Sequence, residues 1–123
     1  MSLTLPVSTT RTVGELCCSP VLRAELAPAD ARLLAGALKV LADPVRLRLL
    51  SMIRTAPGAR ATTGALAEQV GLTQPTITHH LGALFEAGFL RRDRDGRHTW
   101  YRVDTDAVQA VRQLLDPSGT VSP

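Results

Sequence analysis

Three features of this 123-residue chain predict a mainly α fold that carries one two-stranded antiparallel β-hairpin. Apolar residues recur at helical spacing over most of the length. Capping residues stand directly before or near prolines at several helix starts. Near the C-terminus the period changes once, from helical to alternating, around the Asp95-Gly96 pair.

The elements follow in order. Met1 to Gly14 is rich in Ser, Thr and small residues without an apolar period, and reads as a mobile arm. Ser19-Pro20 pairs an N-cap with a first-turn proline and opens a short helix through Leu26. Pro28 and Asp30 open the next, in which Leu33, Leu34, Ala37, Leu38 and Leu41 form one apolar face. Asp43-Pro44 starts a helix to about Arg54, with Val45, Leu49, Leu50 and Ile53 inward and Arg48, Ser51 and Arg54 outward. Pro57-Gly58 ends it.

A short helix spans Thr63 to Val70 and breaks at Gly71. Thr73 caps the next, which runs to about Ala87 with Ile77, Leu81, Leu84 and Phe85 clustered. Thr78, His79, Gly82 and Glu86 point away, and Gly88 ends the helix as a left-handed cap. Phe89 to Asp93 and Arg97 to Val103 are the two strands, with Trp100 and Tyr101 packing the hairpin onto the helices. Asp104 or Thr105 caps a last helix through Leu115, with Val108, Val111 and Leu115 on one side. Residues 116–123 read as a mobile tail, so one domain over residues 15–115 is expected.

Composition narrows the function classes. No apolar run approaches the ~18 residues of a spanning helix. The N-terminus lacks the basic start and apolar run of a signal peptide, so the cytoplasm is the expected compartment. The net charge is +3, and every basic residue except Lys39 is Arg. Arg suits forked contacts to phosphates and base edges, although a GC-rich genome gives the same bias. No nucleophile–base pair or carboxylate dyad is apparent, so no enzyme is expected. Cys17 and Cys18 are the only cysteines. Sequence neighbours pair only with strain, so they read as free thiols.

Thr63 to Gly88 is two helices joined by a tight turn at Gly71-Leu72-Thr73, the arrangement helix-turn-helix recognition needs. The second helix must present short polar groups to the major groove. Gln74, Thr76, Thr78 and His79 have that character; Gln pairs bidentately with adenine, and Thr can meet a thymine methyl. The hairpin behind it carries Arg91, Arg92, Arg94, Arg97 and Arg102. Without counter-ions they would repel one another, and DNA supplies phosphates. A solvated helical pair with an exposed hairpin is the plainer alternative.

Leu38 to Leu50 (Leu-Lys-Val-Leu-Ala-Asp-Pro-Val-Arg-Leu-Arg-Leu-Leu) resembles the opening motif of the arsenical-resistance repressor (ArsR/SmtB) family. Leu72 to Leu81 resembles its recognition helix, and Glu86 to Leu90 with Gly96 to Val103 resembles its wing. The resemblance covers about Ala29 to Leu115. It implies a winged-helix homodimer on an inverted-repeat operator, released by a metal or metalloid. On the charge argument above, Arg91, Arg92, Arg94 and Arg97 are the hairpin residues expected to bind DNA. Gly82 departs from the pattern, since relatives often carry Lys there.

Effector ligands in the family vary in position. The helix before the turn reads Gly64 to Gln69 without a thiol, and the last helix has Asp104 and Asp106 but no His, so zinc is not expected there. Glu15 to Pro20 resembles the vicinal-cysteine segment of an actinobacterial arsenite-sensing branch. The expected inducer is trivalent arsenic or antimony on Cys17 and Cys18, with no permanent cofactor. Soft thiolates select such centres, and a helix N-terminus lowers thiol pKa values. The branch takes a third thiolate from the loop that here reads Pro57 to Arg60 and has none. The third position then falls to solvent, a small thiol, another protein atom or a methyl group on the arsenic. His80, at the edge of the apolar face, is expected to be structural. Two rivals stay open, a redox-sensing repressor using the same thiols and a winged-helix protein-interaction module.

Overall fold

Helix boundaries follow the capping chemistry of the sequence. The computed structural model describes residues 12–16 and 25–117. Its elements are α1 (Pro28–Leu41), α2 (Pro44–Thr55), β1 (Ala61–Thr62), α3 (Thr63–Val70), α4 (Gln74–Glu86), β2 (Leu90–Asp95), β3 (His98–Val103) and α5 (Thr105–Leu115). Gly14–Leu16 and Pro57–Ala59 are short 3-10 turns. The short helix expected from Ser19 falls mostly outside the described residues, and its end at Glu25 and Leu26 has no regular structure. No helix among the described residues is long and apolar enough to cross a membrane.

The Asp43 carboxylate accepts from the backbone N–H of Val45 at 2.9 Å and of Arg46 at 3.1 Å. It satisfies two orphan donors at the start of α2. The Arg46 N–H, with a further contribution from that of Val45, holds the Asp43 carboxyl below its usual range against the smaller effect of desolvation. Thr62 caps α3 through the N–H of Ala65, and Asp104 caps α5 through Asp106 and Ala107.

The core is aliphatic. Leu49 and Ile53 of α2, Leu66 of α3, and Ile77, Leu81 and Leu84 of α4 are essentially inaccessible, joined by Leu34 of α1 and by Phe89. Burying each large side chain is worth roughly 1.5–3 kcal/mol against leaving it in water. Leu33, Leu41, Val45, Leu50 and Phe85 line the edge of this core, half-buried, whereas Leu38, expected on the same face, is half-buried but not packed against it.

The sheet has three strands rather than the two expected, in the order β1-β3-β2 and antiparallel throughout. β1 has only two residues, too few for any period to show, and pairs Ala61 with Tyr101 and Thr62 with Trp100. In the hairpin Asp95 lies across from His98, so the two-residue loop is Gly96-Arg97, one position later than expected. Its positive φ falls on Gly96 alone, which suits a glycine-first hairpin loop. Phe89 is not in the strand. Its N–H reaches the Leu84 carbonyl (2.9 Å) and its carbonyl accepts from Asp104 (2.8 Å).

Two expectations about packing are corrected. The buried residues of α5 are Ala107 and Ala110, whereas Val108 is 40% and Leu115 70% exposed. The residues that fill the space are Leu16, on the Gly14–Leu16 turn seated against α5, and Val13 just before that turn, which are 0% and 1% exposed. That turn is a reciprocal capping box, with Thr12 N–H on Glu15 Oε1 (2.8 Å) and Glu15 N–H on Thr12 Oγ1 (3.3 Å). The arm boundary expected at residue 14 therefore falls inside a packed segment. Trp100 is the second correction. Pairing puts its side chain on the face of β3 opposite to Tyr101, under the Arg60 guanidinium at 3.9 Å, and only Tyr101 is buried.

Gly82 lies mid-helix in α4, and a Cβ built there meets nothing within 4 Å. Gly82→Ala is expected to stabilise the fold by about 1 kcal/mol, read as a higher urea midpoint at unchanged slope.

Candidate nucleic-acid interface

The turn between α3 and α4 depends on Gly71, whose φ of 82° closes α3 in the left-handed region. Its N–H and that of Leu72 both reach the Ala67 carbonyl, at 2.9 and 3.2 Å. The chain then re-enters helix at Gln74. Thr73 occupies the N-cap position, but its side chain makes no cap bond, contrary to expectation. Its hydroxyl instead meets that of Thr76 at 2.9 Å.

With Ile77, Leu81 and Leu84 fully buried, the opposite face of α4 is fixed outward. Gln74, Thr76, Thr78 and His79 are all exposed. They do not act as one set. Gln74 and Thr78 open onto a cleft of about 520 Å³ shared with Arg97 and His98 of the hairpin and with Thr63 and Gly64 at the start of α3. Thr76 is tied to Thr73, and His79 lies beside His80 at 6.0 Å between ring centroids. Neither lines that cleft.

The hairpin arginines also divide. Alternation along β2 puts Arg92 and Arg94 on the face shared with buried Leu90. The Arg92 guanidinium stacks on the Phe85 ring of α4 at 3.9 Å, a cation–π contact that joins hairpin to helix. Arg91 is on the other face, where its Nε lies 3.5 Å from Asp104 Oδ2. Arg94, Arg97 and Arg102 form no ion pair among the described residues, so self-repulsion is only partly relieved along the hairpin.

Sequence reasoning missed the joint behind the helix. Arg46 Nε donates to His80 Nδ1 at 3.0 Å, and Arg46 Nη1 to the Val40 carbonyl at 3.3 Å. One side chain thus ties the end of α1, the start of α2 and the middle of α4 together. His80 has the structural role expected of it, with Nδ1 accepting the bond. The bonding partner lies 34 residues away in sequence, so no local pattern announces it. His98 and the start of α3 were missed for the same reason, because β1 and the loop register bring them to the cleft.

Cys17 and Cys18 lie outside the described residues. Among the described residues no cluster of three His, Cys, Asp or Glu side chains could hold a metal ion. Asp104 of the last helix is engaged in its own cap and with Arg91. The segment leading into the cysteines is the Gly14–Leu16 turn, fixed on α5.

Residues 41–93 match a family of helix-turn-helix domains. A biofilm growth-associated repressor of Xylella fastidiosa is 36% identical over 65% of this chain and 68% of its own length. A homodimeric winged helix-turn-helix domain from Mycobacterium bovis, described as a possible ArsR-family regulator, superposes with a TM-score of 0.62 at 24% identity. It covers 75% of this chain and 85% of that one, and at this identity it speaks for the fold alone. A possible transcriptional regulator for arsenical resistance superposes with a TM-score of 0.59 at 30% identity, over 70% of this chain and 86% of that one.

The Arg46–His80 bond should be energetically coupled. A double-mutant cycle with Arg46→Ala and His80→Ala, read by urea denaturation, is expected to return a coupling of about 1 kcal/mol. Additive losses would remove the bond as a joint between α2 and α4.

Proposed function

Because the chain belongs to the ArsR-type family of winged-helix transcriptional regulators, we propose that it is a homodimeric repressor that reads an inverted-repeat operator. It is a regulator, not an enzyme. The observation that carries the reading is the single cleft in which Gln74 and Thr78 of α4 meet Arg97 and His98 of the hairpin. Gln74 and Thr78 can reach base edges in a major groove, while Arg94 and Arg97 take flanking phosphates. Thr63 and Gly64 at the start of α3 line the same cleft, where the positive end of the helix dipole favours an anion. Arg92, stacked on Phe85, sets the angle of the wing rather than reading sequence. Thr76 and His79 extend the polar strip along the helix. Two such faces related by a two-fold axis would enter successive grooves.

The inducer in this reading is a thiophilic trivalent arsenical or antimonial, held by Cys17 and Cys18 in the reducing cytoplasm. The donor set fits, since vicinal thiols can chelate a soft centre. As the chain's only cysteines they leave the third position to a non-protein group or another atom type. The Gly14–Leu16 turn gives this site its route to the rest of the molecule. A ligand that reorders residues 17 and 18 pulls on a turn packed against α5, the helix that follows directly from the hairpin. Coupling of this kind is typically 1–3 kcal/mol and reciprocal.

Operator affinity should therefore be electrostatic and wing-dependent. Replacing Arg94 and Arg97 by Ala is expected to flatten the slope of log K against log salt by roughly 0.9 for each phosphate no longer neutralised. Gln74→Ala should cost about 1–3 kcal/mol on the operator and little on random DNA. Equal losses on both would confine Gln74 to positioning.

Either Cys17→Ser or Cys18→Ser should abolish release from the operator by trivalent arsenicals and spare operator binding itself, measured by fluorescence anisotropy under reductant. Release by peroxide but not by arsenicals would assign the thiols to redox sensing instead.

A further inference from the structure

A second cleft, of about 500 Å³, lies on the opposite side of the hairpin between the end of α2, the sheet and α5. Four arginines from four elements converge on it, Arg54 of α2, Arg91 of β2, Arg102 of β3 and Arg112 of α5. None of its lining residues is acidic, and it shares none with the cleft below α4. We propose that it is a binding site for a small polyanion bearing phosphoryl groups.

The charge arrangement carries the argument. Strand register sets Arg91 directly across from Arg102, and like charges in that position are destabilising. Arg91 is ion-paired with Asp104, and at 3.5 Å that contact is loose. Arg112 is oriented by an uncharged partner, its Nη1 donating to Gln109 Oε1 at 3.0 Å. Arg54 and Arg102 form no ion pair among the described residues. The cleft thus concentrates four guanidinium forks against two nearby carboxylates, Asp104 beside Arg91 and Asp116, which lines a neighbouring recess with Arg112. Such forks match phosphoryl oxygens two at a time, and several converging forks require a ligand with several anionic groups. Val103 and Val108 supply an apolar wall, which limits water around the ligand and strengthens each contact.

The test is calorimetric titration of the full chain with inorganic tripolyphosphate in magnesium-free buffer, beside an Arg54→Gln, Arg112→Gln variant. Saturable binding at one site per protomer, weakened at least tenfold in the variant, is the expected result. Absence of saturable binding, or equal binding by the variant, would overturn the site. Two controls keep other occupants distinguishable. If the variant shows a flatter salt dependence on operator DNA, the arginines contact the nucleic-acid backbone and the proposal fails. If the variant dissociates to monomers by light scattering, they face a second copy of the chain and the proposal fails equally. Loss of tripolyphosphate binding in Arg94→Ala, Arg97→Ala would place the ligand in the other cleft and would also overturn it. Because the two clefts share no lining residue, the operator reading stands or falls independently of this result.

Discussion

The buried stripe of α4 is the constraint on which the rest of the structure depends. Ile77, Leu81 and Leu84 are inaccessible because α1, α2, α3 and β2 all close on the same helix. A helix seated along one stripe has no rotational freedom left, so its other face is determined to within a residue. Turning α4 by one position would bury Thr78 in place of Ile77, at a cost of about 1–3 kcal/mol for a polar group left without a partner. The orientation of Gln74 and Thr78 is therefore a packing result, settled by aliphatic residues that never approach the cleft.

Polar joints refine what the apolar core sets. Asp43 closes the start of α2, and Arg46, three residues later, reaches both back to Val40 and across to His80. The same short stretch thus stops α1, starts α2 and braces α4. Its half-buried setting matters, because the guanidinium keeps part of its hydration while its Nε makes a directed bond. At the other end of α4, Arg92 on Phe85 does the equivalent work for the hairpin. Helix and hairpin are linked there by a ring and a cation rather than by burial, which leaves the hairpin tip exposed.

Much of the fold was legible because its signals are local. Asp43-Pro44, the Gly71 turn and the Gly88 stop mark boundaries within a few residues of themselves, and the structure places the helices of residues 28–86 close to where those signals do. What escaped was set by distant partners. β1 exists only because Ala61 finds Tyr101, 40 residues on. Valine and leucine on α5 gave the stronger apolar signal, yet alanines face the core because Val13 and Leu16 already occupy the volume that larger side chains would need. The outward polar residues of α4 were read correctly as a strip, but their division between cleft and flank depends on the hairpin register, which slid by one residue at Gly96-Arg97. Hairpin charge was visible as a sum. Which arginine faces which way was not, because alternation has meaning only once a register is fixed.

The alanine seat of α5 has a consequence for how the molecule comes apart. Methyl groups bury little area, so this helix is held less by its own side chains than by the capped turn of residues 12–16 pressed onto it. Removing that turn from its place uncovers Val13 and Leu16 and strips α5 of its largest apolar neighbours in a single event. Turn and terminal helix therefore open as one cooperative unit, two segments from opposite ends of the sequence sharing one local melting transition. Amide protons of α5 would exchange through that subglobal opening, while those of α4 wait for the whole domain to unfold.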